Sequence, residues 1–122
     1  MMMTKAMLCI GLGLAATAHA ADGDALYAQA MERYEAGDYR AAYARFDVAA
    51  DAGNVRAQEI AGLMALLAPA LYGDAVRPDR DEGLRRLLQA AESGSAVGRH
   101  VACAYLRRSG ATPRDGCDAG RR

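Results

Sequence analysis

The sequence predicts an all-α protein of about five helices, and three observations carry that expectation. Apolar residues recur at steps of three and four, which gathers them on one helix face, whereas a strand would alternate every second residue. Gly37-Asp38, Gly53-Asn54 and Gly94-Ser95 each join a residue that closes a helix to one that opens the next. Finally, FDVAADAGNVRAQ from Phe46 aligns with LLQAAESGSAVGR from Leu87 at a constant offset of 41.

Taken in order, Asp22 or Asp24 opens a helix over 24–36 whose apolar face is Tyr27, Ala30, Met31 and Tyr34. Asp38 caps a second helix, 38–52, with Tyr39, Ala42, Tyr43, Phe46, Ala49 and Ala50 on one side. Asn54 starts a third, 54–68. Asp79, with Glu82 three residues on, gives a start resembling a capping box for a fourth, 79–93, whose face is Leu84, Leu87, Leu88 and Ala91. Ser95 starts the fifth, 95–109, with Val97, Val101, Ala104 and Tyr105. At the junctions glycine accepts the left-handed conformation, and the Asp, Asn or Ser side chain accepts a hydrogen bond from the next helix's free N–H groups. Linkers of two residues force neighbouring helices antiparallel. The internal register, in which Asp38 falls on Asp79, Ile60 on Val101 and Gly62 on Cys103, is the pattern of an α-solenoid. In such a stack each hairpin buries its apolar face on the next.

The chain start predicts export. Met1 to Lys5 carry one positive charge, Ala6 to Ala16 carry no polar side chain, and Ala18-His19-Ala20 offers small residues at the two positions a signal peptidase reads. Eleven apolar residues rise about 16 Å as a helix, against about 30 Å of hydrocarbon. Residues 1–20 are therefore expected to be a cleaved signal peptide, residues 21–110 the helical repeat domain and 111–122 a tail. Cys9 lies inside the apolar stretch and follows Leu8, which does not suit lipidation. Without residues 1–20 the only lysine is gone, leaving 14 arginines against 15 acids. That balance argues against nucleic acid as partner. All-arginine usage with abundant alanine points to a bacterial periplasmic or secreted protein. No transmembrane segment is expected after signal removal, since the later uncharged run 60–73 is interrupted by Pro69.

These residues resemble the Sel-one-like branch of the tetratricopeptide-like repeats. The likeness rests on Ala49-Ala50-Asp51-Ala52-Gly53-Asn54, Ala57-Gln58, Ala61-Gly62-Leu63-Met64, Leu71-Tyr72-Gly73 with Val76, Asp79, and Ala90-Ala91 followed by Gly94. Gly37-Asp38-Tyr39 with Ala42 and Phe46 is similar to a tetratricopeptide turn and second helix. Departures are Ala65 where the family has tyrosine, extra residues around Pro69, and Cys103 where the first copy has Gly62. The resemblance implies a short right-handed α-solenoid that binds another protein or peptide.

Chemistry-bearing residues are few. His100 and Cys103 share a helix face, but a nucleophile would need an orienting third group and structural zinc usually takes four ligands. Asp79, Asp81 and Glu82 stand at a helix start, where acids meet the positive end of the helix dipole. No phosphate loop, nucleophile elbow or dinucleotide fingerprint occurs. The chain is therefore expected not to be an enzyme and to need no cofactor or metal. It is expected to be an exported interaction module, an adaptor or scaffold of the bacterial envelope; the alternative is a self-associating accessory or secreted effector, a homodimer. On the family's frame, counted from Gly62 and Cys103 as the small residues at helix crossings, the inner helices present Arg56, Glu59, Leu63 and Leu66, then Val97, His100, Ala104 and Arg107. Leu63, Leu66, Val97 and Ala104 can equally pack between repeats, so Arg56, Glu59, His100 and Arg107 are the candidate partner contacts. Residues 99–122 hold six arginines against two acids, so the end of the chain is basic. Arg107 and Arg108 suit the negative end of the last helix, and Arg121 and Arg122 a solvated tail. Cys103 and Cys117, the two thiols left after processing, are an expected disulfide; the open alternative is a buried Cys103 and a dangling Cys117.

Overall fold

The protein is described by a computed structural model covering residues 13–112 and residue 117, with side chains from residue 21 onward. Among the described residues there are five α-helices and no strand: α1 (Gly13–Glu35), α2 (Tyr39–Asp51), α3 (Val55–Leu67), α4 (Arg80–Glu92) and α5 (Ala96–Arg108). A single 3-10 turn, Gly73–Ala75, lies between α3 and α4. Residues 1–12 of the expected signal segment, and the tail apart from 111, 112 and 117, lie outside the described residues. Arg121 and Arg122 are among those outside.

The four expected caps form. Asp38 accepts from the Ala41 N–H, Asn54 from Ala57, Asp79 from Glu82 and Ser95 from Gly98, at 2.8–3.2 Å. A cap of this kind is worth about 1 kcal/mol. Gly37, Gly53 and Gly94 take positive φ at the three predicted stops. At Gly53 the paired closing bonds run from its N–H to the Ala50 carbonyl and from the Asn54 N–H to the Ala49 carbonyl, 3.0 and 3.1 Å. Gly110 closes α5 in the same way, a stop the sequence reading did not mark. The first helix corrects its expected start: α1 begins at Gly13 rather than at Asp22 or Asp24. Its physical reason is the alanine-rich run through Ala21, whose residues favour continuing a helix over opening one.

Each helix packs on its neighbour in the chain, and side chains also link alternate helices. Asn54 Nδ2 donates to Asp24 across α1 and α3, and Ser95 Oγ donates to Glu59 across α3 and α5. The link between α2 and α4 is Arg86. Its side chain is 3% exposed and its guanidinium meets Asp47 at 2.6 Å and Asp51 at 2.7 Å, while Glu82 lies 3.3 Å away on its own helix. A cation this buried survives only because acids and hydrogen-bond acceptors surround it.

The core is built largely of alanine, with Phe46, Met64, Leu87 and Val76 as its largest fully buried side chains. Burying a Phe, Met or Leu side chain contributes about 1.5–3 kcal/mol, and alanine lets the helices approach closely enough to do it. Residues related by the offset of 41 share surroundings: Phe46 and Leu87 are both fully buried, as are Ala49 and Ala90, while Asn54 and Ser95 are both caps. Gly62 and Cys103 are a further such pair, each meeting the segment that follows its own helix. An ideal Cβ on Gly62 would lie 2.9 Å from the Gly83 carbonyl oxygen of α4, so Gly62 marks a close helix crossing. In α5 the close approach to α4 falls at Gly98, where a Cβ would lie 2.7 Å from the Leu87 carbonyl oxygen. Cys103, the counterpart of Gly62, is 5% exposed and bonded to Cys117 in the segment that follows α5.

Candidate functional site

The end of α3 and one face of α5 form the walls of an open groove, with the first residue of α4 at its edge. Three local devices hold those walls. The Asp79 N–H donates to the Ala65 carbonyl at 3.2 Å, which fixes the beginning of α4 beside the end of α3. Ser95 caps α5 through the Gly98 N–H while its hydroxyl donates to Glu59, tying the start of α5 to α3. Gly98 then lets α5 lie against the α4 backbone. Rigid placement of this kind suits a binding surface, since little ordering remains to be done when a partner arrives.

The groove has a volume of about 610 Å³. Leu66 and Leu67 from α3 and Val101, Ala104 and Tyr105 from α5 supply its apolar area. Arg80, His100 and Arg108 supply positive or titratable groups around it, and Ser109 closes one end. Leu67 is 40% exposed, and Val97, one turn before Val101 on the same face of α5, is 49% exposed. A second depression of about 470 Å³ is lined by α4 alone, from Asp81 to Glu92. Its arginine, Arg85, is already spent on Glu82 through two hydrogen bonds of 2.6 and 2.7 Å. Those bonds hold the Glu82 carboxyl below the ordinary carboxylate range. The groove between α3 and α5 therefore has more apolar surface, and its arginines, unlike Arg85, have no acid within ion-pair distance among the described residues.

Of the residues expected to face a partner, Leu66, His100 and Ala104 are brought together in this groove. Arg56 is exposed, with its guanidinium 5.5 Å from the centre of the Tyr27 ring, so it packs between α3 and α1. Glu59 is half-buried and engaged with Ser95. Leu63 is half-buried, and Arg107 is exposed; neither lines the groove. Arg80, Leu67, Val101, Tyr105 and Arg108 line it although sequence reasoning did not name them as groove residues. The positive charge at the chain's end was a signal for Arg108. Nothing local pointed to Arg80, because its placement depends on how α4 meets α3.

The remaining chemistry has been absorbed by the fold. Cys103 and Cys117 form a disulfide, so the Cys103 sulfur is neither a free thiol nor a thiolate ligand beside His100. Asp79 serves as a cap and Glu82 pairs with arginines, as acids at a helix start do. Tyr34, Tyr39 and Tyr72 stack edge to face with centroids 5.1–6.1 Å apart. Burial, and then the 3.1 Å hydrogen bond with Tyr34, push the Tyr72 phenol well above its usual range. This cluster packs against the core rather than offering open ring faces. Among the described residues no helix is long and apolar enough to cross a membrane.

The chain matches no protein-family model, and neither a curated protein nor a solved structure matches it.

Proposed function

We propose that this chain is an exported, non-enzymatic protein-interaction module that holds its partner in the groove between α3 and α5. In this reading the helices form antiparallel hairpins of a right-handed Sel-one-like solenoid, α1, α3 and α5 line its inner surface, and α2 and α4 lie outside. The observation that carries it is the groove itself, an apolar trough held rigidly between two helices with charged groups at its rim. Interfaces commonly combine an apolar centre with a polar edge. Matched surroundings at the offset of 41, and the links α1 to α3, α2 to α4 and α3 to α5, support the stacked arrangement. A disulfide favours an oxidising compartment such as the periplasm or the exterior. The signal-like segment supports the same destination.

The test is affinity capture from envelope extract with wild type and two variants. His100→Ala with Arg108→Ala alters the groove, and Arg40→Ala alters the exposed face of α2. The groove pair should reduce capture about tenfold, as expected for a loss near 1.4 kcal/mol, while thermal melting stays unchanged. Capture that survives the groove pair but fails with Arg40→Ala would contradict the proposal. Sedimentation as a tight dimer with no other protein captured would favour self-association instead.

A further inference from the structure

The groove's chemistry also selects among partners. Resting on the adaptor reading above, we propose that it receives an acidic amphipathic helix of the partner protein, its apolar stripe against Leu66, Val101 and Ala104 and its carboxylates toward Arg80 and Arg108.

Charge is the first argument. Arg80 and Arg108 line the groove, both are exposed, and among the described residues neither has an acid within ion-pair distance. Arg85 and Arg86, by contrast, are both paired inside the fold. Helix α5 carries Arg99, His100, Arg107 and Arg108 and no acid at all, and the only acid of α3, Glu59, is engaged with Ser95. Arg80 is the first residue of α4, the end at which the helix dipole disfavours a cation. Its position thus contributes nothing to the helix, and an acidic partner would turn that unfavourable charge into an attractive one.

Shape is the second. The α5 wall runs from His100 to Ser109, which at 1.5 Å per residue is about 14 Å, or two to three helical turns. Val101, Ala104, Tyr105 and Arg108 recur along it at steps of three and four, so a helix with apolar residues at the same spacing can lie along the trough. Exposed Val97 and Leu67 extend the apolar surface. A nucleic-acid backbone would leave this apolar area unused. The chain's own tail is a poor occupant, because residues 113–122 carry Arg114, Arg121 and Arg122 against two acids. It is also pinned through Cys117 to Cys103, which does not line the groove.

Two synthetic helical peptides of equal length provide the test. One carries leucines at steps of three and four with glutamates elsewhere, and the other replaces every glutamate by lysine. Fluorescence polarisation with the disulfide-bonded protein should show the glutamate peptide binding at least about tenfold more tightly. Its affinity should fall as salt rises. Arg80→Glu with Arg108→Glu should reverse the preference, while Arg99→Glu, an exposed arginine outside the groove, should not. Replacing the leucines by serine should abolish binding. Equal binding of the two peptides, or a preference that survives the double reversal, would overturn the proposal. So would binding of anionic phosphatidylglycerol vesicles with no binding of the glutamate peptide. Groove-dependent capture of a protein from envelope extract, without glutamate-peptide binding, would refute the acidic helix and leave the adaptor reading standing. Loss of both would refute both.

Discussion

Gly98→Val should be severely damaging, lowering stability by about 3 kcal/mol. An ideal Cβ at residue 98 would lie 2.7 Å from the Leu87 carbonyl oxygen, 3.0 Å from Ala90 Cβ and 3.1 Å from Ser95 Oγ. The first of these is helix backbone, which cannot swing aside, so α5 must move off α4 and take the groove wall with it. For a domain near 100 residues this corresponds to a fall in melting temperature of about 12–24 °C. Gly23→Ala is the contrasting change. A Cβ there would meet Asn54 Cβ at 3.4 Å, an ordinary contact, and in the processed chain Gly23 is the third residue, where alanine gains far less over glycine than the ~1 kcal/mol of a helix interior. Melting by circular dichroism should therefore fall steeply for Gly98→Val and stay near the wild type for Gly23→Ala. Equal shifts would mean that α4 and α5 do not approach at Gly98.

Breaking the disulfide should have a comparable effect. Cys103 and Cys117 are 14 residues apart, and closing a loop of this size restricts the unfolded chain by about 3 kcal/mol in the chain-entropy account. A domain whose whole stability is about 5–15 kcal/mol would lose a large part of it. Cys103→Ser and Cys117→Ser should cost similar amounts, because either opens the loop, with Cys103→Ser slightly worse for placing a hydroxyl at a buried position. Reductant should bring the wild type down to the level of Cys117→Ser and leave that variant unmoved. A Cys117→Ser variant that melts with the wild type would show that the bond contributes nothing. Two free thiols titrated in unreduced, unfolded, processed protein would show that it does not form.

Short-range chemistry was the most legible part of the sequence. Asp38, Asn54, Asp79 and Ser95 each act on an N–H three residues away, so their roles could be read without knowing any tertiary contact. The fully buried Phe46, Ala49 and Leu87 were legible from spacing, but the faces expected for the last two helices are corrected. Helix α4 buries Gly83, Arg86 and Ala90 with Leu87 rather than Leu84, Leu88 and Ala91, and α5 buries Gly98, Ala102, Cys103 and Leu106 rather than Val97, Val101, Ala104 and Tyr105. What depends on two helices meeting was less legible. The close approach of α5 to the preceding helix falls at Gly98, which the alignment at 41 pairs with Ala57 and does not mark as a crossing. Arg86 looked like one more arginine on an amphipathic helix. Its burial follows from Asp47 and Asp51 standing four apart on α2, close enough to share one guanidinium.

The groove divides the same way. Of the four candidate contacts only His100 lies in the groove, joined by Leu66 and Ala104, for which the frame left packing between repeats equally open. Glu59 and Arg56 were expected beside them, but a serine cap on α5 and an aromatic ring on α1 claim those side chains. Arg80 comes from a third helix and was not foreseeable without the Asp79 to Ala65 hydrogen bond that seats it.

Photo-crosslinking in intact cells tests the working surface most directly. A benzophenone amino acid placed at Ala104 lies on the groove wall, whereas the same group at Ala44 lies on the exposed face of α2. Irradiation should join a partner protein to the Ala104 variant and give little or no adduct from Ala44, with the adduct found in the envelope fraction and lost when Arg80 and Arg108 are both reversed to glutamate. A partner joined from Ala44 and not from Ala104 would contradict the account, because the protein would then be working from the opposite surface.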